Sequence, residues 1–195
     1  MDVGTAIGVF ALIFVAELPD KTMIAMLVLG SRSRPALVWA GSTVAFAVHV
    51  TVAVLVGHAL ALLPRTWVLG VSAALFGAGA VYLLLVPERT EEERGEREAQ
   101  RARSAINVAG GAFVVILVGE FGDLTQLLTA NLAARSHDPL SVGVGAFVAL
   151  AAVAAVAAFG GRAMLRVLPL AVIRRAGGVI LLGFAAYDIY QLVHG

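Results

Sequence analysis

The chain has 195 residues, 60% of them hydrophobic and only 14% charged, with a mean hydropathy of +0.93. Soluble domains are about 45–50% apolar and about 25% charged, so a soluble globular fold and a disordered chain are both excluded. Fourteen basic and thirteen acidic residues leave a net charge of +1. Without a basic patch, nucleic acid is not an expected partner. The lack of cysteine removes disulfides, thiolate metal sites and cysteine nucleophiles. What fits is a single polytopic membrane domain in contact with the lipid bilayer. The first apolar run is preceded by no Lys or Arg, so it reads as a span and not as a signal peptide.

A membrane-crossing helix needs about 20 mostly apolar residues. Six segments meet this, at about 3–30, 36–63, 67–86, 105–134, 140–160 and 176–193. The first is interrupted by ELPDKT and the fourth by EFGDLT. Residues 88–104, ERTEEERGEREAQRARS, hold six Glu and five Arg and read as a solvated linker, with pairs such as Glu93 and Arg97 supporting helix. The stretch RAMLRVLPLAVIRR between the fifth and sixth segments, with four arginines and Pro169, is expected to be a loop or interfacial segment. The loops on one side carry Arg65 and Arg135, and those on the other carry eleven arginines. By the positive-inside rule both termini lie outside and the linker lies in the cytoplasm.

The chain repeats itself. At an offset of 103, Glu17, Asp20, Thr22, Leu29 and Arg32 meet Glu120, Asp123, Thr125, Leu132 and Arg135. With one residue of slip Pro35 and Gly41 meet Pro139 and Gly145, and with one more Tyr82 meets Tyr187. The organisation is therefore repeat 1 (1–86), a charged linker (87–104) and repeat 2 (105–195). Three spans per half is an odd number, so the second half must be inverted. The expected fold is an all-α membrane protein of six transmembrane helices in two inverted three-helix repeats. Inverted repeats with interrupted helices at matched positions point to a secondary transporter with a midplane site.

Glu17, Asp20, Glu120 and Asp123 all fall inside spans, where each isolated charge costs at least about 2.5–3.5 kcal/mol. They must face one another, a cation, water or a proton. Residues three apart share a helical face, so each Glu–Asp pair is expected to form one two-carboxylate patch. Thr22, Thr125 and Gln126 add neutral oxygens. An all-oxygen shell suits Mg²⁺, Ca²⁺ or Mn²⁺. Pro19 and Gly122, between the acids, should open the helix and free carbonyls. Lys21, whose counterpart is Leu124, supplies a counter-charge. Like charges in a dry site raise each other's pKa, so metal binding would release protons, the physical basis of metal/proton exchange.

Paired Glu-x-Gly-Asp-[Lys/Arg]-[Thr/Ser] motifs in a six-span, two-repeat chain resemble the Golgi manganese/calcium transporter family, which includes bacterial manganese exporters. The likeness rests on residues 17–22 and 120–126. It implies cation/proton antiport of Mn²⁺ or Ca²⁺ with the motif acids as ligands, no cofactor and no enzymatic activity. Pro19 and Leu124 depart from the motif, yet neither removes a carboxylate. The expectation is export of Mn²⁺, with Ca²⁺ second, across the cell membrane against inward proton flow; self-association is left open. One alternative is export of a small organic cation or amino acid. Another is an intramembrane aspartyl protease on Asp20 and Asp123, but its Gly-x-Gly-Asp motif is not matched by GEFGD.

His49 and Asp188 are weaker candidates for proton coupling. Asp188 alternatively bonds Tyr190 or water as a gate or interfacial acid. His58 and Asn131 read as packing residues, Trp39 and Trp67 as interfacial anchors. The small residues of LAAVAAVAAFGG suit close helix packing.

Overall fold

The computed structural model describes residues 1–18, 21–31, 33–60, 62, 64–85, 108–121, 123–167 and 170–194. Pro19, Asp20, Gly122 and the charged linker lie outside them. Eight helices and no strands occur among the described residues. They are α1 (Val3–Glu17), α2 (Lys21–Gly30), α3 (Pro35–Leu60), α4 (Arg65–Leu85), α5 (Val108–Gly119), α6 (Leu124–Arg135), α7 (Pro139–Val167) and α8 (Leu170–His194).

Both interrupted segments are broken helices. The α1/α2 pair bends by 75° and the α5/α6 pair by 69°. Among the described residues, α3 and the Pro139–Gly160 part of α7 are long and apolar enough to cross a membrane alone, and each bent pair qualifies if counted as one span. The expected sixfold count is thus met for four segments by length and composition. The expected loop around Pro169 is instead mostly helix, since α7 runs to Val167 and α8 starts at Leu170. Arginine is a good helix former, so its presence in this stretch is compatible with helix.

The halves interleave. α3 packs across α5 and α6, while α7 packs across α1 and α2. Two corresponding pairs, α3 with α7 and α4 with α8, run in opposite directions. Gly143 of α7 approaches Val54 and Val50 of α3, whereas the Trp39 indole donates to the Ala151 carbonyl at 3.1 Å. Trp39 therefore ties two helices together, beyond the interfacial role expected of it; Trp67 is exposed. Likewise Phe76 of α4 stacks on Phe184 of α8 at 5.3 Å, and Leu84 lies over Gly178. The α4/α8 pair meets the other helices mainly along α6 and α1.

Backbones touch where the sequence places small residues. A Cβ at Gly41 would collide with the Ala109 carbonyl, and one at Gly145 with the Ala6 carbonyl. These two contacts are repeat equivalents, Gly41 with Gly145 and Ala6 with Ala109. Gly30 meets Ala158 in the same manner, as the alanine-rich fifth segment led us to expect. Ile13, Met23, Met26, Leu27, Phe46, Ile116 and Leu128 fill the interior, while Val44, Leu55, Val118 and Phe159 face outward, as a lipid-facing surface requires.

Asp2 caps α1, accepting from the Gly4 and Thr5 amides, and its own N–H donates to Asp138 Oδ2 at 2.9 Å. Hydrogen bonds from the Ser141 hydroxyl and amide hold the Asp138 carboxyl well below its usual range. A lowered carboxyl pKa stabilises the fold above the unfolded value and loses that contribution as pH falls through the folded one. Neutral pH thus leaves this tie between the halves intact.

Gly41→Ala and Gly145→Ala should each cost about 1–3 kcal/mol through overpacking, read as a lower midpoint of thermal unfolding in detergent. Gly8→Ala, with open space around it, should cost nothing. Equal midpoints for all three would contradict the close backbone contacts.

Candidate functional site

Glu17 is the last residue of α1 and Glu120 directly follows α5; both are buried, with 1% of Glu17 and 4% of Glu120 exposed. The halves exchange hydrogen bonds here. The Thr125 hydroxyl donates to Glu17 Oε2 at 2.7 Å, and the Thr22 hydroxyl donates to Glu120 Oε1. Each carboxylate is thus held by the threonine of the other half.

Glu17, Glu120, Thr125, Gln126, His49 and Thr129 line one cavity, walled by Phe46, Val50, Ala53 and Leu150, with a volume of about 20 Å³. About 10–15 Å³ of such space suffices for one water, so the cavity has the scale of a bare ion and not of an amino acid. Thr129 was not anticipated. Its signal was present, since it lies four residues after Thr125 and so shares its face; its hydroxyl donates to the Thr125 carbonyl at 2.8 Å.

The aspartate does something different from what spacing suggested. Glu120 and Asp123 do not share a helical face. They flank the break, joined by a turn in which the Asp123 amide donates to the Glu120 carbonyl at 3.1 Å. Asp123 N-caps α6, accepting from the Leu124 amide at 2.7 Å, where a carboxylate meets the positive helix end. It does not line the cavity. Its repeat equivalent Asp20 lies outside the described residues, and among the described residues no three His, Asp or Glu groups gather closely enough to hold a metal.

His49 is buried, and its role is local and definite. Its Nε2 lies 3.3 Å from the Ile116 carbonyl near the end of α5, which also accepts from the Glu120 amide at 3.0 Å. Its Nδ1 lies 3.1 Å from Gln126 Nε2. With the Gln126 amide donating to Nδ1, the imidazole carries its proton on Nε2 and donates to Ile116. His49 therefore joins the end of α5 to the first turn of α6, and Gln126 reaches the cavity wall with its nitrogen engaged by that ring. Asp188 is remote from the cavity lining. Its ion-pair partner is Arg135, whose Nη1 lies 2.6 Å from Asp188 Oδ2. Asn131 is buried.

Apolar helices, two of the spans broken at matched acidic motifs, and a small polar cavity between the halves are the features expected of a membrane transport protein. The family comparison agrees, since the family model for the divalent cation/proton antiporter GDT1 matches residues 5–91 and 108–195. The chain belongs to that family, which is one of transporters and not of enzymes. It is 28% identical over 99% of its length to GDT1-like protein 1, chloroplastic, of Oryza sativa subsp. indica, covering 64% of that protein. It is 28% identical over 94% of its length to Protein PAM71, chloroplastic, of Arabidopsis thaliana, covering 56% of that protein. GDT1-like protein sll0615 of Synechocystis is 28% identical over 77% of the chain and 80% of its own length. The chain therefore spans less than two thirds of the length of these two chloroplastic relatives. No solved structure matches it.

Thr22→Val and Thr125→Val should each cost about 1–3 kcal/mol, the penalty for stranding part of a buried acceptor. The matching Thr→Ser changes should recover most of it. Thermal unfolding in detergent measures both, and equal midpoints for Val and Ser would refute the hydroxyl–carboxylate pairing.

Proposed function

We propose that this chain is a divalent-cation/proton antiporter of the cell membrane, exporting Mn²⁺ by preference and Ca²⁺ second. The observation that carries this reading is the exchanged pairing, in which Glu17 and Glu120 line one cavity and each accepts a hydroxyl from the opposite half. Family membership supports the transport class, and the cavity volume favours a bare ion over an organic cation.

The ligand set in this reading is Glu17, Asp20, Glu120 and Asp123, assisted by Thr22, Thr125 and Gln126. A carboxylate that caps a helix can also ligate an ion, because it has two oxygens and about four lone-pair sites. Two carboxylates facing one volume cannot both ionise cheaply without a cation. A divalent ion and protons therefore compete for the same oxygens, and each arrival expels the other. Lys21 contributes counter-charge.

The architecture of this reading is six spans in two inverted repeats. Mirrored packing of α3 and α7, and the opposite directions within the α3/α7 and α4/α8 pairs, support the inversion. Closely packed halves of this kind alternate access by rocking around a fixed site. With eleven arginines on the linker side against two on the other, the termini face outward and the linker inward.

In proteoliposomes holding a preset pH gradient, added Mn²⁺ or Ca²⁺ should collapse the gradient. Glu17→Gln, Glu120→Gln, Asp20→Asn and Asp123→Asn should each reduce that flux at least about 100-fold, as expected when a group essential to the transfer is removed. Lysine as the only active solute would instead identify an amine exporter. Full flux in the four variants would remove these carboxylates from the mechanism.

A further inference from the structure

The Arg135–Asp188 ion pair lies away from the cavity and has no part in holding the cation. Arg135 is the last residue of α6, the half-helix whose first turn carries Thr125 and Gln126. Its guanidinium lies 2.6 Å from Asp188 of α8, and the two side chains are 26% and 0% exposed. Asp188 Oδ1 is buried with no hydrogen-bond partner among the described residues. The Asp188 charge therefore depends on Arg135, and a buried acid that loses its counter-ion is strongly disfavoured. Arg135 itself reaches solvent, so water can compete for it. Such a contact has two well-separated states, joined and parted.

The pair joins two bodies. On one side is the interleaved group α1, α2, α3, α5, α6 and α7; on the other is the α4/α8 pair, held together by Phe76 on Phe184. Among the described residues this is the one ion pair linking them. It is also one-sided. The repeat equivalent of Arg135 is Arg32, but the equivalent of Asp188, counted from the matched Tyr82 and Tyr187, is Leu83. Leucine cannot form an ion pair, so the matched positions cannot repeat this contact at the other end.

We propose that Arg135 and Asp188 form a one-sided ionic latch that controls access to the cavity. Joined, they hold α4/α8 against the site-bearing half-helix α6 and close the route from the end where α6 terminates. Parted, they open it. Both act as positioning residues, working through the placement of α6. The proposal rests on the transport reading above, but its first test reads access and not transport.

The chain has no native cysteine, so Thr129→Cys places a single thiol in the cavity wall. In membrane vesicles, an impermeant maleimide is added on the side carrying the termini. Asp188→Asn should raise the labelling rate at least about 5-fold, the lower end of typical coupling between sites (about 5–150-fold). The swap Arg135→Asp with Asp188→Arg should return it toward the parent rate, which separates a latch from a merely damaged fold. Labelling unchanged by Asp188→Asn, or raised equally by the swap, overturns the proposal.

A second arm uses Arg135→Cys with Asp188→Cys and a short, reducible bis-methanethiosulfonate. Cross-linking should stop Mn²⁺ flux while Mn²⁺ binding persists, and reduction should restore flux. Undiminished flux in the cross-linked protein, or failure of the cross-link to form, overturns the latch. A parent protein that moves no divalent cation defeats the proposed function instead, and the labelling arm still decides the latch.

Discussion

Everything near the centre of this molecule answers to the burial of two glutamates. Glu17 and Glu120 are removed almost wholly from solvent, in a chain whose surroundings are apolar on every side. A buried polar group must be satisfied or it is expelled. Here satisfaction comes from across the molecule, with Thr125 serving Glu17 and Thr22 serving Glu120. These two exchanged bonds draw the halves together at this point. The close helix contacts at Gly41, Gly145 and Gly30 let them do so, because only a residue without a Cβ admits a neighbouring carbonyl at that distance.

The broken helices follow from the same constraint. Ending α1 at Glu17 and α5 at Gly119 leaves backbone groups unpaired at the centre of the protein, and each end needs a partner. Asp123 supplies one for α6, and His49 adds a second contact to the Ile116 carbonyl of α5. His49 is not duplicated as a residue. Val153 stands where repeat symmetry would place a second His49, and Leu124 where it would place a second Lys21. The buried Leu18 has exposed Phe121 as its counterpart. The scaffold is close to symmetric, and the chemistry around it is not.

That distinction marks what the residues alone could and could not disclose. Membrane class, the two breaks and the pairing of motifs were legible, because hydropathy, charge inside spans and self-similarity are properties of the letters. The partner of each charged group was not. Glu–Asp spacing of three implied a shared helical face, but that rule needs an unbroken helix, and Glu120 and Asp123 lie on either side of a break. Asp123 consequently caps a helix end. Asp188 seemed an isolated acid because its partner Arg135 is 53 residues away. The four arginines near Pro169 looked like a loop because charge was weighed above helix propensity. Only the Asp188 partner was hidden by tertiary contact; the other two misses came from reading local patterns too simply.

The choice of threonine as the partner of each glutamate carries its own physical logic. An arginine or lysine there would neutralise the carboxylate permanently and repel an arriving cation. A hydroxyl has one donor and two acceptor lone pairs. It donates to the carboxylate when no cation is present and offers oxygen when one arrives, with no charge of its own to move. The same exchange makes the site's hold on itself modest, since a hydroxyl donating to a charged acceptor contributes only about 1.5–3 kcal/mol. In the proposed cycle, a site held together by exchangeable hydroxyls can be reorganised by a divalent ion and restored by protons. A site closed by fixed ion pairs would resist both. The one strong ion pair described near these helices, Arg135 with Asp188, accordingly stands away from the cavity, where it can hold helices in place without competing for the ion.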